Sequence, residues 1–134
     1  MRAILLALLS AGPALADPCP ATGGVEVPLF EGAKVDFLAG DYRAFHDKAT
    51  SVISGTEYET LFNPLIVGAP KGFKSCTTIL QRIETGGMVQ EIVLFDTGGT
   101  PVSLYLMGAE MSGRMHVLSF RYSTSIGDVL GTVR

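Results

Sequence analysis

The chain has 134 residues, 47% of them hydrophobic and 17% charged, with a net charge of −3. That is the composition of one folded domain. A mildly acidic balance argues against nucleic acid as a partner, which would want a basic face. No apolar run approaches the roughly 20 residues that a membrane-spanning helix needs.

The first sixteen residues read as a cleavable export signal. Met1-Arg2 is a short basic start, residues 3–11 are almost wholly apolar, and Gly12-Pro13 breaks the run before Ala14-Leu15-Ala16. This is the three-part layout of a secretory leader with a small-x-small cleavage site. Cys19 lies behind Asp17-Pro18 and not directly after a small residue, so acylation there is not predicted. The mature chain is expected to start at Asp17, in the periplasm or outside the cell. The leader carries Arg2 and no acid, so the mature chain is one unit more acidic than the whole.

Two cysteines follow, Cys19 and Cys76, neither in a Cys-x-x-Cys pair nor beside a histidine. In an oxidising compartment the simplest reading is a disulfide. Closing the loop between positions 57 apart contributes about 4 kcal/mol in the chain-entropy picture.

Residues 17–36 are rich in Pro and Gly over their first part and read as an irregular arm, with 37–134 as the single domain. Phe37, Leu38, Tyr42, Phe45, Ala49, Val52 and Ile53 recur at helical spacing. Asp41 is the expected N-cap of a helix ending near Ser54 and Gly55. A second helix fits Thr56 to Phe62, with Asn63-Pro64 as its stop, and residues 65–73 read as a Gly/Pro loop. Four β-rich runs come next: Cys76–Glu84, Met88–Asp96, Val102–Ala109 and Arg114–Tyr122. Short Gly-containing links join them, the pattern of an antiparallel meander. A last helical turn fits Ile126–Leu130.

The order predicts an α+β fold, with the N-terminal helices packed on a curved four-stranded sheet. Simple alternation places His116, Leu118, Phe120 and Tyr122 on one face of the last strand, with Met115 and Val117 on the other. The third strand is apolar on both sides, Val102, Leu104 and Leu106 against Tyr105 and Met107. A half-wet antiparallel strand would be more polar. Its second face is therefore expected to be covered, either by a second copy of the chain in a homodimer or by the arm held down at Cys19.

Helices followed by a curved meander resemble the cystatin-like and NTF2-like folds, over about residues 37–122 and in element order. Members of those folds serve as binding modules, as dimeric domains or as small enzymes with a pocket in the curled sheet. The resemblance leads to two expectations. One is an exported binding or interaction module for a protein or small molecule. The alternative is a pocket enzyme of hydratase or isomerase type, in which His116 works with a carboxylate such as Asp96. His46 and Asp41 are further acid–base candidates, although His46 lies on a helix flank. Tyr105, Tyr122 and His116 are the candidate ligand-stacking residues.

The stretch Ile92 to Gly99 resembles the aspartic-protease active-site strand, an apolar run into Asp96-Thr97-Gly98. Gly99 departs from that family's usual Ser or Ala, and too little chain follows for the rest of a lobe. A turn that uses Asp96 and the glycines is the simpler reading. The two histidines and scattered carboxylates show no metal-ligand spacing, and no cofactor is predicted.

Overall fold

A computed structural model describes residues 19–20, 24–50 and 57–133. The export signal, the predicted start at Asp17 and the helix boundary at Ser54 to Thr56 lie outside these residues. Within them the fold is α+β: helices lead into a sheet of four antiparallel strands in the order β1-β2-β3-β4.

The first helix, α1 (Pro28–Ala39), corrects the reading of residues 17–36 as an irregular arm. Pro28 opens it, where a missing N–H costs nothing and the fixed φ is already helical. Phe30, Ala33, Lys34 and Phe37 form its buried stripe. A lysine in that stripe, after a Pro/Gly-rich lead, hides the helical period. Gly40 ends α1 at φ 76°, in the left-handed region. A Cβ there would lie 2.5 Å from the Gly72 backbone nitrogen, and one at Gly72 only 2.1 Å from the Leu38 carbonyl. The two glycines thus let the 69–74 loop lie against the end of α1, where the Phe73 N–H bonds the Leu38 carbonyl at 2.8 Å.

The second helix, α2 (Tyr42–Ala49), is capped by Asp41, whose carboxylate accepts the Ala44 N–H at 3.1 Å. It buries Tyr42, Phe45 and Ala49. The third, α3 (Tyr58–Gly68), does not stop at Asn63-Pro64 but runs one turn further. Pro64 has no N–H to give the Thr60 carbonyl, and both residues are exposed. Phe62 and Leu65, buried on either side of it, hold the helix in register.

The strands are β1 (Ser75–Glu84), β2 (Met88–Asp96), β3 (Val102–Met111) and β4 (Arg114–Ser123). Gly86 and Gly87 at the β1–β2 turn, and Ser112 and Gly113 at the β3–β4 turn, all have positive φ. That backbone suits tight hairpin links. Each outer strand carries one bulge. In β1 the register slips around Ile79, and in β4 it slips around Leu118.

The bulge in β4 overturns the simple alternation. Phe120 pairs with Leu106 and Tyr122 with Leu104, while Val117 pairs with Gly108 and His116 with Ala109. Val117, Phe120 and Tyr122 therefore share the helix-facing side, and His116, Ser119 and Arg121 take the other. The extra residue, Leu118, exchanges the two faces. Met115 and Val117 accordingly join the main core and do not extend an apolar patch on the second face.

The core lies between the helices and the sheet. Phe37 is at its centre, with ring centroids 5.1 Å from Phe45 and 4.6 Å from Phe95. The helix side of β3 contributes Val102, Leu104 and Leu106. Gly108 follows them, and a Cβ there would sit 2.9 Å from the Phe30 ring. The second face holds Ile92 and Tyr105. The C-terminal helix α4 (Ile126–Leu130) covers them with Val129, fully buried, and Val133 packs alongside with Leu80 and Met107. The cover seen on this face is the chain's own C-terminal segment.

Candidate functional site

His116 and Asp96 lie at opposite ends of the sheet. His116 stands across from Ala109, and Ala109 pairs with Met88, the first residue of β2. Asp96 is the last residue of that nine-residue strand. At about 3.4 Å per residue the separation is roughly 27 Å, far beyond the reach of proton transfer. Asp96 serves the turn: its carboxylate accepts the Gly98 N–H at 2.7 Å and its carbonyl accepts the Lys74 N–H at 3.0 Å. This is the turn chemistry that competed with the protease-like reading of the same residues. Asp41 is engaged as a helix cap. His46 is half-buried on α2, edge-on to Tyr58 and Phe62, with its Nδ1 3.8 Å from the Asp47 carboxylate.

The two tyrosines also part company. Tyr105 is buried on the second face, where its hydroxyl donates to Gln90 Oε1 at 2.9 Å. Tyr122 faces the helices, and its hydroxyl donates to the Leu61 carbonyl. Burial raises the Tyr122 pKa above its ordinary value. Tyr42 is pushed up to about 12, chiefly by burial and then by the Tyr122 and Tyr58 charges.

Tyr122 borders a cleft of about 480 Å³. On one side the last turns of α3 supply Pro64, Leu65, Gly68 and Ala69. The β2–β3 loop supplies Thr97 and Thr100, and Val102, Ser123 and Thr124 close the rest. The buried Leu65 and Val102 provide apolar wall. The far side of the helix end is tied down by Tyr42, whose hydroxyl donates to the Ala69 carbonyl at 2.6 Å. The helical wall replaces the loop expected over residues 65–73. Its signal in the sequence is the apolar Leu65-Ile66-Val67 run directly after Pro64.

At the opposite edge of the sheet lies a buried ionic cluster that none of the sequence motifs marks. Lys34 of α1 and Glu91 of β2 are each only 1% exposed, with 2.8 Å between Nζ and Oε2. Lys34 also donates to Glu31 Oε1 at 2.7 Å and to Thr78 Oγ1 at 3.0 Å. Gln81 donates to the other Glu91 oxygen at 2.7 Å and to the Val25 carbonyl at 2.6 Å. Thr78 donates its hydroxyl proton to the Cys19 carbonyl at 2.9 Å. The Cys19–Cys76 disulfide, with 4.7 Å between its Cα atoms, anchors this end of the chain beside the cluster. A charged residue inside the apolar strand Val89–Phe95 is the available signal. Every charge here faces a fixed partner, so the cluster serves as a structural joint.

Among the described residues no group of three or more His, Cys, Asp or Glu could hold a metal ion, and no helix is long and apolar enough to cross a membrane. The chain matches no known protein family, no curated protein and no solved structure.

Proposed function

We propose that this chain is an exported binding module that holds a small molecule in the cleft between α3 and the ends of β3 and β4. The leader at residues 1–16 would be removed, leaving a mature chain that starts at Asp17 in the periplasm or the medium. The observation that carries the binding reading is the cleft itself. Its volume of about 480 Å³ falls within the roughly 300–1,000 Å³ of small-molecule sites, and its apolar wall with a few polar groups is their usual lining. The separation of His116 from Asp96 weighs for binding over the alternative proton-transfer chemistry. The Cys19–Cys76 disulfide supports an oxidising compartment.

The test uses protein recovered from the periplasm or medium of cells expressing the full chain. Its mass should correspond to residues 17–134 less two hydrogens. A retained Met1 or a lipid on Cys19 would refute the export reading. Native mass spectrometry should reveal a co-purified small molecule, or a metabolite screen should find one that raises Tm. Gly68→Trp should remove either signal, because Gly68 lines the cleft and a Cβ there would have nothing within 4 Å, which leaves a large ring room to occupy it. Ligand binding that survives this substitution would refute the cleft.

A further inference from the structure

The described side chains that line the cleft are uncharged. Its lining includes the buried, apolar Leu65 and Val102, and Gly68, where a Cβ would meet nothing within 4 Å. Two of the rim hydroxyls are committed within the chain. Thr97 donates to the Thr100 carbonyl at 2.8 Å and accepts the Gly99 N–H at 3.1 Å. Ser123 donates to the Asp128 carboxylate at 3.1 Å and accepts the Ser125 N–H at 3.0 Å. Among the described residues, Thr100 and Thr124, both exposed, are the rim hydroxyls left to meet a ligand.

Charge decides the ligand class. Among the described residues the lining carries no carboxylate, ammonium, guanidinium or imidazole. An ion drawn into apolar surroundings without a counter-charge loses its hydration uncompensated. Charges around the lining include Asp128 behind Ser123, Lys74 beside Gly98, and Asp96, whose carboxylate accepts the Gly98 N–H. They are of both signs and exposed, where water and salt screen them. The C-terminal end of α3 at Gly68 also borders the space, and its partial negative charge disfavours an anion.

We propose that the cleft takes a slender, uncharged amphiphile: an apolar body ending in a hydroxyl or carbonyl that meets Thr100 and Thr124. This rests on the reading of the cleft as a binding site. The experiment titrates the secreted full chain with 1-octanol, octylamine and octanoate at neutral pH. 1-Octanol should bind at least roughly tenfold tighter than either ion, given the cost of burying an unpaired charge. Thr100→Val and Thr124→Val should each weaken 1-octanol binding by roughly threefold to tenfold, the value of one neutral hydrogen bond. Gly68→Trp should abolish it. An ion that binds as tightly as 1-octanol and is lost in Gly68→Trp would overturn the ligand class and leave the site standing. Binding by any of the three that survives Gly68→Trp would overturn the site, and no binding by all three would overturn the ligand class.

Discussion

The two edges of the sheet treat polarity in opposite ways. Along β1 the protein buries full charges, Lys34 and Glu91, and surrounds them with Glu31, Thr78, Gln81 and the disulfide-anchored N-terminal segment. Along the ends of β3 and β4 it leaves space, and lines that space with methyl groups, hydroxyls and a tyrosine ring. Charge is buried where partners are fixed, and room is left where none is charged. The first edge is a joint that holds α1 to the sheet, and the second is an open cleft.

Substitutions should separate the two edges by their effect on stability. The largest loss is expected at the joint. Lys34→Met removes the cation and leaves Glu91 charged and buried, at a cost of about 3–5 kcal/mol. The double change Lys34→Met with Glu91→Leu should recover much of that loss, because the uncompensated carboxylate is gone. Urea denaturation of the three proteins measures this. A double variant as unstable as the single one would mean that packing, not charge, governs the joint.

Next comes the covalent tie. Replacing Cys19 and Cys76 by serine should cost about 2–4 kcal/mol, read as a fall in the urea midpoint. No change on loss of the bond would mean that the N-terminal segment contributes little to the β1 edge.

A smaller effect is expected beside the cleft. Tyr122→Phe removes the donor to the Leu61 carbonyl and should cost about 1 kcal/mol. The neighbouring Tyr42 has a pKa raised from 10.0 to about 12 by burial. Its folded form holds the proton more tightly than its unfolded form. The resulting stability is therefore full below pH 10 and is lost as pH rises toward about 12. Tyr42→Phe should flatten the decline of Tm across that window. An unchanged slope would assign the alkaline loss to other groups.

The smallest effect belongs to the cleft. Gly68→Trp projects into open space, and its stability should stay within about 0.5 kcal/mol of the parent chain. A loss comparable to that at Lys34 would show that the cleft is part of the core and erase the contrast between the edges.

What the sequence determined by itself was the local layer of this fold. The β-rich runs and the glycines between them specify a four-stranded meander, because hairpin pairing joins neighbours along the chain. Asp41 announces its helix through a carboxylate three residues ahead of the N–H that it caps. Two lone cysteines leave a single possible intrachain disulfide. The tertiary structure decided everything that depends on pairing across the fold. Leu118 bulges out of β4 and exchanges the strand's faces, so His116 and Tyr122 do not lie together. Period-2 counting assumes an unbroken register and misses such a slip. Lys34 occupies a core position only because Glu91 comes from a strand far along the chain to meet it. Val129 covers the second face only because the C-terminus returns to the sheet. These features arise where distant segments meet, and burial and charge pairing are properties of that meeting, which no local window of sequence contains.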